Sequence, residues 1–105
     1  MINFQTIEKA IYDLCVEANT TLSDSVFNKI LSAYNNEKNI DEKQNLQLIL
    51  ENAKLAYETK KPLCQDTGQV LIFARGRYFP EKFNEAINSG VKKAYEENFY
   101  RKSVV

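Results

Sequence analysis

The segment Pro62–Ala74, which reads PLCQDTGQVLIFA, contains the predicted change from helix to strand along the chain. Proline disfavours helical geometry in the residue before it, so the preceding helix is expected to end at about Lys60. Val70–Ala74 is continuously apolar and rich in branched and aromatic residues, which is typical of a short strand covered on both faces. A strand is therefore predicted over Val70–Arg75, and the fold class is predicted to be α+β, with about four helices and a small sheet.

Outside this segment, apolar residues recur at helical spacing in four stretches. Asn3 is suited to cap the first helix, Asp41 begins a possible capping box for the third, and Pro80 suits the first turn of the last. The third stripe is wide enough to predict burial on two sides. At Gly90, the missing side chain would let another backbone approach closely. The predicted helices are Phe4–Ala18, Ser23–Tyr34, Asp41–Lys60 and Pro80–Asn98.

The composition is that of an ordinary globular protein, with 44% hydrophobic and 27% charged residues, and residues 1–105 are expected to form a single domain. A formal net charge of zero argues against nucleic-acid binding. The longest uncharged apolar run is too short to cross a bilayer, and acidic residues interrupt the region where a signal peptide would lie. No membrane partner and a cytoplasmic location are therefore expected.

The two cysteines and the absence of histidine restrict the possible chemistry. Without a secretion signal, Cys15 and Cys64 are expected to be reduced thiols. Cys15 lies on the first apolar stripe, which favours a buried structural role. The lack of histidine excludes Ser-His-Asp and Cys-His nucleophiles and every histidine-ligated metal site within this chain.

The loop Pro62–Gly68 concentrates a thiol, an amide, a carboxylate and a hydroxyl between a predicted helix and a predicted strand. Functional sites are often built on loops that rigid elements support. The same residues also suit an ordinary turn, because Gly68 can adopt positive backbone angles and Asp66 can bond to nearby amides. From residue types alone, both interpretations remain open.

Two ordered segments resemble the class I, iron-sulfur fumarate hydratase family, which includes the alpha subunits of L-tartrate dehydratase. Pro62–Gly68, followed by an apolar strand, resembles the motif that opens the family's active site. Ala86–Tyr95 and then Tyr100–Val105 resemble the family segment that ends in an arginine and a serine-valine pair. The resemblance covers residues 62–105, whereas residues 1–61 agree only in helical character and length.

This resemblance implies a four-iron four-sulfur cluster held by three cysteines, with one iron open to act as a Lewis acid. Cys64 occupies the position of the first ligand, and a thiolate is the soft ligand that such clusters require. Gln65 and Asp66 match residues that contact the dicarboxylate substrate, and Asp66 is also a candidate for proton transfer. Arg101 matches an arginine that binds a substrate carboxylate.

The implied activity is a reversible hydro-lyase reaction: hydration of fumarate to malate, a step of the tricarboxylic acid cycle, or dehydration of a related dicarboxylate such as tartrate. The matched residues serve carboxylates common to these substrates, so they do not separate them, although fumarate is favoured. Only one of the expected cluster cysteines is present. The chain is therefore expected to be an amino-terminal piece that stops at residue 105 and is inactive alone, through truncation, a partial reading frame or a split gene. The rest of the catalytic chain or a separate beta subunit is expected to complete it within an oligomer. The alternative is a small helical interaction module without a catalytic role.

Overall fold

A computed structural model describes residues 3–64, 69–98 and 100. These residues form four α-helices joined by turns and irregular segments. All four predicted helices are confirmed, with ends displaced by at most three residues. None of the helices in the described part of the chain is long and apolar enough to span a membrane. The helices are α1 (Phe4–Thr20), α2 (Asp24–Asn36), α3 (Ile40–Thr59) and α4 (Phe83–Glu97).

Asparagine side chains cap two of these helices. Asn3 Oδ1 accepts a 2.9 Å hydrogen bond from the Thr6 amide, which confirms the predicted cap of α1. Asn39 Oδ1 accepts from the amides of Asp41 and Glu42 at 3.0 and 3.1 Å. The predicted capping box starting at Asp41 is therefore wrong, because Asn39 satisfies the exposed amides of the first turn from two residues earlier.

The start of α4 differs from the prediction that placed Pro80 in its first turn. The Pro80 carbonyl accepts a 3.2 Å hydrogen bond from the Phe83 amide, which closes a turn before the helix. Lys82 then adopts a left-handed conformation, with φ 64° and ψ 21°, and is the N-cap residue of α4. This left-handed residue separates Pro80 from the helix, so α4 begins at Phe83.

The predicted strand at Val70–Arg75 is wrong, and with it the α+β class. The described residues contain helices but no strand, and residues 69–76 have no regular secondary structure. A strand requires a hydrogen-bonded neighbour, and no backbone hydrogen bond between described residues joins 69–79 to another segment. The expected cover is also missing, since Leu71 is 70% exposed and Phe73 is 93% exposed.

The chain divides into two compact units, the first comprising Met1–Glu17 with Asp66–Val105. In its described part, α1 packs against α4 around a buried core that includes Ile11, Cys15 and Ala94. The predicted close approach at Gly90 is confirmed. A Cβ atom there would lie 2.6 Å from the Glu8 carbonyl oxygen and 2.8 Å from Ile11 Cβ.

Polar contacts reinforce this packing of α1 on α4. The Glu8 carboxylate accepts hydrogen bonds from the Ser89 hydroxyl and from Lys93 Nζ, the latter at 2.9 Å. Both bonds lower the pKa of Glu8, the bond from Ser89 more than the bond from Lys93. Together they outweigh burial, which raises this pKa. The bond to Glu8 likewise raises the pKa of Lys93.

The second unit, Ala18–Gln65, contains the end of α1 together with α2 and α3. Helix α3 buries Leu50, Ala53 and Ala56, whereas α2 has no buried residue. Burial of α3 on two sides was expected and is wrong, because Leu48 and Leu55 remain 63% and 58% exposed. A wide apolar stripe shows that a helix can be covered on two sides, but not that the covering element is present.

Candidate functional site

The loop that carries Cys64 begins where α3 stops. Lys60, the C-cap residue of α3, has a left-handed conformation with φ 56° and ψ 33°, which turns the chain away from the helix axis. Pro62 follows two residues later and cannot donate the backbone hydrogen bond that a continued helix would need. This local chemistry directs Leu63 and Cys64 back along the side of α3.

Two consecutive backbone amides anchor the loop within the second unit. The Leu63 amide donates a 2.7 Å hydrogen bond to the carbonyl oxygen of Asn19 in the last turn of α1. The Cys64 amide donates a 2.9 Å hydrogen bond to Oδ1 of Asn52 in α3. The backbone on the amino-terminal side of the thiol is therefore held by two helices.

The two thiols differ in environment, and neither forms a disulfide. Cys64 is exposed, whereas Cys15 is buried in the core between α1 and α4. Burial raises the pKa of Cys15 and favours its protonated form. The prediction that Cys15 is a buried structural residue is confirmed, and Cys64 is the thiol accessible to a ligand.

The other predicted site residues, Gln65, Asp66 and Arg101, lie outside the described residues, and their roles stay predictions. Among residues 3–64, 69–98 and 100, no group of three or more His, Cys, Asp or Glu residues could hold a metal ion. An exposed thiol on an anchored loop fits one ligand position of an iron-sulfur cluster. The sequence contains only two cysteines and Cys15 is buried, so a cluster held by three cysteines would need ligands from outside this sequence.

Asn52 is the site residue that the sequence analysis missed. Its sequence signal is weak but physical, because asparagine is a poor helix former and tends to hydrogen-bond with backbone groups. A position in the interior of α3, twelve residues before Cys64, is unfavourable for asparagine unless its side chain has a partner. The spacing alone does not reveal that partner, since the turn at Lys60 determines where the loop returns.

A concavity beside the start of α4 is a separate feature of the first unit. Its described lining does not include Cys64, and it contains one acidic residue and one lysine among apolar and amide side chains. It therefore offers no cluster ligand. The lining residues are Phe79, Pro80, Lys82, Phe83, Asn84 and Glu85.

Comparison with known proteins assigns the chain to a family. The model of the family described as "Fumarate hydratase (Fumerase)" matches residues 8–105. The chain belongs to the fumarate hydratase family. Membership confirms the resemblance seen at residues 62–105 and extends it through α1, α2 and α3, because the match begins at residue 8.

This fumarate hydratase family chain is similar in sequence to a curated protein from Methanocaldococcus jannaschii, which is named "Putative L(+)-tartrate dehydratase subunit alpha". The two sequences are 39% identical over 104 residues. The alignment covers 94% of this chain but 36% of the relative, so the chain spans about a third of the relative's length.

Proposed function

We propose that the chain is the amino-terminal part of the catalytic domain of an iron-sulfur hydro-lyase. This enzyme interconverts fumarate and malate, or dehydrates a related 2-hydroxy dicarboxylate such as tartrate. The observation that carries the proposal is the fumarate hydratase family match over residues 8–105, which includes the anchored loop with the exposed Cys64 thiol. The name of the tartrate dehydratase relative supports the same reaction class.

Cys64 is proposed as one of three cysteine ligands of a four-iron four-sulfur cluster. When bound, such a cluster supplies an open iron that acts as a Lewis acid toward the substrate hydroxyl. The part played by Cys64 is to hold that group through a thiolate, the soft ligand suited to iron and sulfide. Its exposure leaves the sulfur accessible from outside the helical unit.

Three residues are proposed to contact the substrate, each with its own role. The Arg101 guanidinium binds one carboxylate through a planar pair of donors, a geometry suited to bidentate recognition. The Gln65 amide donates a hydrogen bond to a carboxylate, and Asp66 contacts the substrate and accepts or returns a proton as water is added or removed. All three assignments rest on the family motif and on the positions of these residues within the matched range.

The proposed assembly includes polypeptide beyond the described residues. Because the relative is named as a subunit alpha, we include a separate beta subunit and an oligomeric enzyme in the proposal. The cytoplasmic location expected from the sequence also stays part of the proposal. The substrate within the dicarboxylate class stays open between fumarate and tartrate. Carboxylate-binding groups recognise what these molecules share and do not distinguish the substituents between the carboxylates.

The role of Cys64 is tested by its replacement in the full-length polypeptide that contains this segment. After anaerobic reconstitution, Cys64→Ser should lose most of its iron, sulfide and visible cluster absorption, because a serine hydroxyl is a harder and much less acidic ligand. Cys15→Ala is the matched control, since it removes a buried thiol from the helical core and should leave iron content unchanged. Retention of the full cluster and full turnover by Cys64→Ser would refute the assignment.

The proposed role of Arg101 is tested by turnover rather than by cluster content. Arg101→Ala should keep the cluster absorption but lower kcat/KM at least about tenfold, since a charge-assisted hydrogen bond contributes about 1.5–3 kcal/mol. Lys102→Ala is the neighbouring charge control and should stay near the wild-type rate. An unchanged kcat/KM in Arg101→Ala would show that the family role does not transfer to this residue. A full-length protein that binds no cluster at all would instead favour an interaction module.

A further inference from the structure

The side chain of Asn52 makes a contact that its own helix does not require. It lies in the interior of α3, half-buried, and its Oδ1 accepts the Cys64 amide at 2.9 Å. Asparagine favours helix formation less than alanine, by about 0.6 kcal/mol or more. A better helix former at position 52 would make α3 itself more stable. Asparagine at this position instead joins α3 to the residue that bears the exposed thiol.

The contact acts on the backbone of Cys64 and leaves the sulfur accessible. The Cys64 thiol is exposed, while its amide is bound by Asn52 and the preceding amide by Asn19. Of the two acceptors, the Asn19 group is a main-chain carbonyl, whereas the Asn52 group is a side chain. Asn52 is thus the part of this anchor that depends on residue identity.

We propose that Asn52 is a positioning residue that fixes the backbone of Cys64 so that the thiol is presented to the iron-sulfur cluster. This inference rests on the proposed role of Cys64 as a cluster ligand. Outer hydrogen bonds that orient metal ligands commonly determine how tightly the metal is held. Asn52 supplies such a bond from a helix, and helices hold site geometry more firmly than loops do.

The first test measures the hydrogen bond itself in the full-length polypeptide without its cluster. Asn52→Ala should increase amide hydrogen exchange at Cys64 by about three- to tenfold, because the acceptor is lost. Asn52→Asp retains a carbonyl-type oxygen at the same place and should restore most of the protection. Asn45→Ala is the matched control, because Asn45 is an exposed asparagine of the same helix and gains the same helix propensity.

The second test measures cluster retention in the reconstituted full-length enzyme. Iron release to a chelator should be at least about threefold faster in Asn52→Ala than in wild type, with Asn52→Asp closer to wild type and Asn45→Ala equal to it. Circular dichroism melting of each variant controls for loss of the helical fold. If the melting temperature of Asn52→Ala falls, Asn52→Leu takes its place in the comparison, because leucine has a similar side-chain size and no hydrogen-bond acceptor.

The outcomes separate this inference from the proposed function. Unchanged Cys64 exchange in Asn52→Ala would overturn the positioning role, as would faster exchange with unchanged iron release. Faster exchange, together with a Cys64→Ser enzyme that keeps its cluster, would overturn the ligand role of Cys64 while leaving the Asn52 anchor in place. Faster exchange and faster iron release, both reversed by aspartate, are the expected results.

Discussion

Replacing Gly90 with alanine tests how closely α1 packs against α4. Two effects oppose each other. Alanine gains about 1 kcal/mol of helix propensity over glycine in the interior of α4. The added Cβ, however, would lie 2.6 Å from the Glu8 carbonyl oxygen and 2.8 Å from Ile11 Cβ. Neither atom is the end of a flexible side chain, so α1 itself must move to relieve the contact.

The magnitude follows from the same geometry. Overpacking a filled core typically costs about 1–3 kcal/mol, and a contact with main chain and Cβ atoms belongs at the upper end of that range. After the gain in helix propensity, Gly90→Ala should lower the free energy of unfolding by about 2 kcal/mol. For a chain of this size that corresponds to a fall in melting temperature of about 10 °C.

The assay is thermal or urea unfolding followed by circular dichroism, with Asn88→Ala as the control. Asn88 is exposed in the same helix, so its replacement gains helix propensity and should be neutral or slightly stabilising. If Gly90→Ala is as stable as wild type, then α1 does not approach α4 as closely as the structure indicates, and the reasoning is refuted.

Two further predictions concern other contacts of the helices. Asn39→Ala removes the acceptor for two amides at the start of α3 and should lower the free energy of unfolding by about 1 kcal/mol in urea denaturation. Asn39→Ser keeps a capping oxygen and should retain most of the wild-type stability. If the urea midpoint of Asn39→Ala equals that of wild type, the capping role of Asn39 is contradicted. The lowered pKa of Glu8 means that its contribution to stability is fully present above the ordinary carboxyl value of about 4.3 and is lost as the pH falls through the lowered value. Glu8→Gln should accordingly be less stable than wild type at pH 7, with a difference that shrinks under acidic conditions. A difference that stays constant down to about pH 3 would exclude this linkage.

Much of the helical fold was predictable because each helix carries its information locally. Apolar spacing identified all four helices, the side chain of Asn3 identified a cap, and Gly90 marked the close approach. Cys15 could be assigned to the core because it lies on the apolar stripe of α1. These signals depend on residues within a few turns of one another, which a single sequence displays directly.

The failed predictions concern contacts that local pattern does not specify. The apolar run at Val70–Ala74 satisfies the composition of a strand, but a strand exists only with a hydrogen-bonded neighbour. The second apolar side of α3 likewise indicates that burial there would be favourable, but it does not identify the element that would bury it. At the candidate site, the motif identified Cys64 as a candidate ligand, and that role stays a prediction. Its anchor at Asn52 depends on a left-handed turn at Lys60, a conformation that lysine rarely adopts and that the sequence did not predict.

The exposed large apolar side chains at residues 71–73 and 78–79 have a practical consequence for handling the chain. Exposed large apolar side chains promote self-association, and low net charge removes the electrostatic repulsion that keeps molecules apart. This chain combines both properties, with a formal net charge of zero and a pI of about 6.3. Its colloidal stability should therefore be lowest near neutral pH, and light scattering should fall when the buffer is moved away from that region at low ionic strength.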